Sequence, residues 1–540
     1  MIRESLAQAV RATLAELAVE APPGAVRLER PARPEHGDWS TNVAMVLAKA
    51  AGRNPRELAT ALVDRLRADP PAHVTAVEVA GPGFVNFRLD DGWLHDLLGQ
   101  VVVDGVHCYA RHDVGGGERV NVEFVSANPT GPLHVGAGRW AAFGDSLCRL
   151  LERCGWAVHR EYYVNDRGTQ MTLFVESLAA RAAGRPVPED GYHGQYVADW
   201  AAEMPEGADP AVWGYERVTR DLAATLEAMN VRFDTWFSER SLVTSGALDV
   251  TLADLRAAGA VYEADGATWF RATDYGDRQD HVLVKRDGEP TYFLSDIAYH
   301  RDKFARGFEH LVDVFGADHH GHVARLQAAV AALGHPGHLE MILGQLVTLR
   351  RAGQEVRAGK RTGQFVELAE VLEEVGPDVA RLVFLLQSID TRQSFDLDVV
   401  RQQSAENPVY YVQYAHARIS SIGRVAAERG VERRPVDEVD LSRLVHAREL
   451  DLLRTLSELP EVVLSACLTR APHKVTTWVM ELARRFHGFY HDCSVLDPAS
   501  GAERGGEPEL TQARLWLVEA TRVGLAVGLD LLGVAAPESM

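Results

Sequence analysis

The chain has 540 residues, too many for one hydrophobic core, so two to four domains are expected. Apolar residues make up 46% and charged residues 24%, a globular composition, and no run of about 20 apolar residues suggests a membrane span. The formal net charge of −20 gathers in residues 111–400, which carry 29 Lys+Arg against 43 Asp+Glu, so both ends stay near neutral and charge neither supports nor excludes an RNA partner.

The N-terminus reads as an amphipathic helix over Leu6–Leu17, with acids inside it and without the apolar core of a signal peptide. A second helix is expected over Asn42–Ala50, then a turn and short strand over Gly81–Leu89. The glycine run within Ala110–Val120 reads as a linker. From Val120 a strand enters a Pro/Gly turn, a helix follows over Arg139–Cys154, and a second strand over Trp156–Val164. Trp140, Phe143, Leu147, Leu150 and Cys154 form its apolar stripe, and the order is that of a parallel crossover unit. Residues 184–215, rich in Pro, Gly and acids, read as insertion. Strand signals return at His310–His322 and Met341–Leu349 and stop after Asp378, beyond which helical patterns dominate. Cys108, Cys148, Cys154, Cys467 and Cys493 form no C-x-x-C pair, which points to a reduced, cytoplasmic setting without zinc or disulfides.

Three stretches carry chemistry. In Asn128–Gly138 (NPTGPLHVGAG), a glycine-bearing turn between strand and helix lets backbone approach a phosphate, and the helix start supplies free N–H groups. His134 can donate to a phosphate oxygen there, and Gly136 leaves room for a flat adenine ring. In Phe315–His320 (FGADHH), Gly316 permits close approach and Asp318 can accept from ribose hydroxyls. His319 and His320 find no third metal ligand at suitable spacing. In Glu355–Leu368, Arg357, Lys360 and Arg361 lie on a loop with Gly359 and Gly363, which suits neutralising a leaving pyrophosphate but is by itself a weak signal.

Together these resemble the class I aminoacyl-tRNA synthetases, with HVGA at His134–Ala137 and RAGK at Arg357–Lys360 standing where the family has its two signatures. Val122–Gly136, Asn407–Ile422, His36–Lys49 and the ending Leu532–Pro537 resemble the arginyl-tRNA synthetases over essentially the whole chain. Ala137, Ala358 and Gly359 depart from the signature patterns.

The resemblance implies a multidomain α/β protein. Residues 1–110 would form a small α+β domain for the tRNA body, 111–400 a Rossmann-type catalytic domain with an insertion over roughly 168–285, and 401–540 an all-α anticodon-binding bundle. It implies ligation of arginine to its tRNA by a cytoplasmic monomer, with ATP and Mg²⁺ as substrate and without zinc. His134 and Lys360 would be catalytic, and Pro129, Thr130, Gly131, Gly136, Gly138, Gly316 and Asp318 would bind ATP with them. Tyr292 and Asp296 would hold the arginine side chain, Glu123 and Asn128 its α-amino and carboxylate end, with Ser126 also binding arginine and His320 nearby. Tyr410, Tyr414 and Arg418 interleave aromatics with a cation on a helix opened by Asn407 and Pro408, a pattern suited to stacking on unpaired bases. A small-molecule adenylyltransferase and a tRNA-binding regulator without catalysis are the rival readings.

Overall fold

The computed structural model describes residues 2–31, 33–351, 354–355, 366–400, 407–496 and 507–540. The chain divides into two compact units, each drawing on several stretches.

The first unit comprises Met1–Gly105, Ile422–Ser457 and Arg485–Val523. Strands β1 (Trp39–Thr41), β2 (Val74–Ala80) and β3 (Phe84–Leu89) form an antiparallel sheet of order β1-β3-β2. The helices Ile2–Glu16 and Pro55–Ala68 bring Leu6, Val10, Leu14, Leu58 and Leu62 to one core with Trp39 and Phe87. Asn54 starts the second of these by accepting from Arg56 N, with Pro55 in the first turn, where its missing N–H costs nothing. The stretch expected as helix over Asn42–Ala50 is helical only across Val43–Leu47.

The second unit comprises Val106–Ser421, Glu458–Arg484 and Gly524–Met540. Its centre is a parallel sheet of β4 (Arg119–Glu123), β5 (Ala157–Val164), β6 (Thr235–Ser238), β10 (His310–Gly316) and β11 (Leu339–Gly344), in the order β11-β10-β4-β5-β6. The chain winds outward from β4 to β6, then returns to the other side of β4 for β10 and β11. The order therefore reverses between β4 and β10, and ligands of such sheets bind outside the carboxyl ends of the strands at that place. The helix Val135–Arg153 lies close on the sheet, because a side chain at Gly144 would collide with Phe124.

Three expectations need correction. Strand β6 pairs with β5 inside the interval 168–285 read as insertion, so that interval contains an edge of the core sheet. It also holds a separate antiparallel sheet of β7 (Val261–Ala264), β8 (Ala267–Phe270) and β9 (His281–Val284). The glycine run is no free linker: Gly115 N donates to Cys154 O and Gly117 N to Gly155 O, and a side chain at Gly115 would strike Trp156. Strands also continue past Asp378, since β14 (Gln393–Asp396) pairs in parallel with β12 (Val347–Arg351), which β13 (Gln354–Glu355) flanks on its other side. Four residues between helices gave too little pattern to show it.

From Asn407 onward the described residues form helices and 3₁₀ turns. Asn407 accepts from Val409 N at the start of the helix Pro408–Glu428, as its sequence suggests. The closing segment is held within the second unit. Buried Arg381 donates to Leu532 O at 2.9 Å and to Asp145 Oδ2 at 2.6 Å on the helix Val135–Arg153, while Asp378 accepts from Ala535 N.

Candidate active site at the switch point

Immediately after β4, Val125 (φ 68°) and Ser126 (φ 39°) both adopt left-handed backbone. A β-branched residue there is strained, and such strain persists only where the surroundings over-determine it. Here Tyr162 Oη donates to Ala127 O and Tyr196 Oη to Thr130 O, each at 2.9 Å, and Asn128 Nδ2 donates to Gln170 Oε1 at 2.8 Å. Pro129, Thr130 and Gly131 are buried, and a side chain at Gly131 would run into Tyr196.

His134 caps the helix Val135–Arg153 with extended backbone, placing its imidazole over the first turn. A Cβ at Gly136 would lie 2.8 Å from that ring, so the glycine makes room for the histidine. At Gly138 a side chain would meet Phe384 and Leu368, which assigns this glycine a packing reason as well. Ala137 is buried in the same turn. The turn pairs with the chain that follows the basic loop: Val135 N donates to Val366 O, Leu368 N donates to Leu133 O, and His134 bridges Glu367. Lys360 itself, with Arg357, Ala358, Gly359 and Arg361, lies outside the described residues. On β10, Gly316 opens the 3₁₀ turn Ala317–His322, which contains Asp318 and exposed His320.

The helix Tyr292–Ala305 carries a polar stripe inward. Tyr292 is 69% exposed, Asp296 is partly buried, and His300 and Lys303 are buried. Tyr292 and Asp296 therefore share a helix face, as their spacing predicts. At the deep end Lys303 Nζ lies 2.8 Å from Glu123 Oε2 and 2.9 Å from Asp313 Oδ1, and His300 Nε2 lies 2.7 Å from Asp313 Oδ2. Glu123 Oε1 accepts from the Ser126 hydroxyl at 3.0 Å, and Ser126 Oγ accepts from Tyr163 N. Burial pushes the Glu123 carboxyl up, opposed by Lys303, whereas Lys303 and His300 overcome burial at Asp313 and hold it low. Lys303 itself is held protonated, as Asp313 and Glu123 outweigh the penalty of burial.

Asp296 differs. Among the described residues it has no ion pair, and burial pushes its carboxyl up to about 7, against the pull of His300 and Arg325. Sequence reasoning missed His300, Lys303 and Asp313. Their signal was available: polar residues at three- and four-residue steps on a helix with apolar neighbours, and one acid inside the apolar strand HLVDVFG.

Away from this site, the rings of Tyr410 and Tyr414 stack at 5.7 Å, and the Arg418 guanidinium lies 4.4 Å from the Tyr414 ring centre. All three are partly exposed, so they form one ladder on the helix surface, while His416 is buried against Pro537 O.

Family models match almost the whole chain: an arginyl tRNA synthetase N-terminal domain over residues 3–89, the class I (R) catalytic domain over 99–187 and 204–420, and a DALR anticodon-binding domain over 412–540. The arginine–tRNA ligase of Moorella thermoacetica is 47% identical, across 95% of this chain and 93% of that one. The chain belongs to the arginyl-tRNA synthetases.

A second arginine–tRNA ligase, from Frankia alni, is 48% identical across 96% of this chain and 95% of its own length. The solved arginyl-tRNA synthetase of Thermus thermophilus is 26% identical, with a TM-score of 0.77, and the match covers 100% of both chains. Within this family the parallel sheet and its switch point make up the class I catalytic fold. No helix among the described residues is long and apolar enough to cross a membrane. Among them, no group of three His, Cys, Asp or Glu side chains is arranged to hold a metal ion.

Proposed function

We propose that the chain is an arginine–tRNA ligase that consumes one ATP for each arginine attached. An oxygen of the arginine carboxylate attacks the α-phosphorus of ATP. The bond from that phosphorus to the bridging oxygen breaks, and pyrophosphate leaves. The 2′-hydroxyl of the terminal adenosine of the tRNA then attacks the arginyl carbonyl; AMP departs, and the hydroxyl proton is lost.

In this reading His134 and the first-turn N–H groups meet charge developing on the phosphates, and positioned donors count for more than a general base. Pro129, Thr130, Gly131, Gly136, Gly138, Gly316 and Asp318 form the rest of the nucleotide site. ATP arrives as its magnesium complex, and Lys360 joins His134 at the leaving pyrophosphate. Glu123, Ser126 and Asn128 hold the α-amino and carboxylate end of arginine, Tyr292 and Asp296 hold its guanidinium, and His320 lies alongside. Residues 1–110, 111–400 and 401–540 serve the tRNA body, the chemistry and the anticodon, with Tyr410, Tyr414 and Arg418 offered to unpaired bases. The enzyme works as a cytoplasmic monomer.

The observation that carries the arginine reading is Asp296, a partly buried acid on the site side of its helix with no ion pair among the described residues. Such a carboxylate suits a planar cation brought by the substrate. The test is exchange of pyrophosphate into ATP. It should depend on arginine and stay negligible until arginine tRNA is added. Full exchange without RNA would favour a small-molecule adenylyltransferase, and no exchange under any condition a tRNA-binding regulator.

A further inference from the structure

Glu123 on β4 and Asp313 on β10 are register neighbours, two buried carboxylates side by side at the switch point. Two such charges cannot both stay ionised away from water unless a cation stands with them. Lys303 is that cation, contacting both carboxylates while its ammonium lies 4.3 Å from the centre of the Tyr299 ring. With 0% of its side chain exposed, Lys303 touches no substrate, so any influence on the reaction passes through its partners.

The two carboxylates depend on it unequally. Asp313 also has His300, whose Nδ1 faces the carbonyl of Asp296 at 2.7 Å while its Nε2 faces Asp313. Both ring nitrogens face oxygen acceptors, which fixes the ring beside Asp313. Glu123 has no second cation within ion-pair reach among the described residues. Its other oxygen accepts from Ser126, the strained residue that leads the chain out of β4. A carboxylate offers about four lone-pair positions, so each Glu123 oxygen keeps one beyond these bonds.

We propose that Lys303 is a positioning residue for amino-acid binding: from the interior it keeps Glu123 an anion and fixes the Glu123–Ser126 pair that receives the α-ammonium group of the substrate. The inference rests on the role proposed above for Glu123 and adds a residue that never meets the substrate. Asp313 is the second carboxylate on Lys303, and the Lys303–Glu123 arm stands without it.

The test compares Lys303→Met, Glu123→Gln, Asp313→Asn and the double variant Glu123→Gln/Lys303→Met in the full-length enzyme. It measures the KM values for arginine and for ATP at saturating tRNA, kcat, and the melting temperature. Lys303→Met and Glu123→Gln should each raise the KM for arginine by about 30-fold or more, the usual cost of breaking a buried charge pair, and shift that for ATP less than about threefold. Asp313→Asn, which leaves the Lys303–Glu123 arm intact, should keep the KM for arginine within about threefold even if it melts lower. The double variant should bind arginine no worse than Glu123→Gln alone, because Lys303 acts only through Glu123. If Lys303→Met does not fold, the double variant, which removes one charge of each sign, decides by itself: a further rise in the KM for arginine overturns the inference. A normal KM in Lys303→Met beside a raised one in Glu123→Gln also overturns it. A normal KM in Glu123→Gln refutes instead the role of Glu123, and the inference falls with it.

Discussion

Replacing Asp296 by asparagine removes one charge and almost no volume, and the structure fixes how the effect should vary with pH. Burial raises the Asp296 carboxyl to about 7; His300 and Arg325 oppose the rise, and Glu239 and Glu123 add to it. A cationic substrate binds the ionised form, so arginine binding must strengthen as pH climbs through that value. About one-tenth of the molecules are ionised at pH 6 and about nine-tenths at pH 8, so the KM for arginine should fall about tenfold between them. Leaving a buried guanidinium without its carboxylate costs roughly 2–5 kcal/mol, so at pH 8 Asp296→Asn should lose about 30-fold or more in kcat/KM for arginine. The parent weakens at low pH and the variant does not, so the gap should narrow about tenfold by pH 6.

Stability should move the opposite way. The folded carboxyl titrates above its unfolded value near ~3.9, so between about pH 4 and pH 7 the unfolded chain ionises first and the parent loses stability. That deficit persists above pH 7. Asp296→Asn escapes it, and should melt above the parent at pH 8 and level with it near pH 4. Citrulline, nearly isosteric with arginine but neutral, should be rejected strongly by the parent and far less by the variant. If the variant at pH 8 keeps both its kcat/KM for arginine and its rejection of citrulline, the guanidinium is read elsewhere.

His134→Ala should slow single-turnover adenylate formation by ~10²-fold or more while leaving tRNA affinity nearly intact; an unchanged rate would make the histidine a turn residue only. Gly136→Ala should slow the same step with little change in melting temperature, because its Cβ would displace the His134 ring, 2.8 Å away, and not the backbone. A normal rate with a lowered melting temperature would refute that. Tyr414→Ala removes the middle rung between Tyr410 and Arg418 and should raise the KM for tRNA far more than that for ATP. An equal rise in both, with a lower melting temperature, would assign Tyr414 to packing.

What was legible in the sequence was local. The strand–turn–helix unit, the cap at Asn407 and the shared face of Tyr292 and Asp296 each follow from neighbours a few residues apart, and the structure has them. What escaped was set by distant partners. Glu123 and Lys303 are 180 residues apart, and only the return of the chain to β10 brings them together. A lysine on a helix reads as solvated surface until the strands against it are known. The glycine run near Gly115 misled for the same reason: its glycines permit close packing against Trp156, which looks in sequence like the flexibility of a linker.

The two sides of the switch point divide the work, and that bears on the departure at Ala137. In the proposed reading the nucleotide meets the start of the helix Val135–Arg153 and the turn after β10, while arginine meets the helix Tyr292–Ala305 and, at its α-amino and carboxylate end, Glu123, Ser126 and Asn128; Glu123 and Asp313 are paired beneath. Ala137 belongs wholly to the nucleotide side and is buried, so a donor missing there can slow phosphate chemistry without touching arginine recognition. The Lys303–Glu123 pair belongs to the arginine side, where a lost charge should weaken the hold on arginine before it alters the phosphates. Rate and specificity should thus separate: substitutions at His134 and Gly136 should lower kcat at an unchanged KM for arginine, and those at Asp296 and Lys303 should do the reverse.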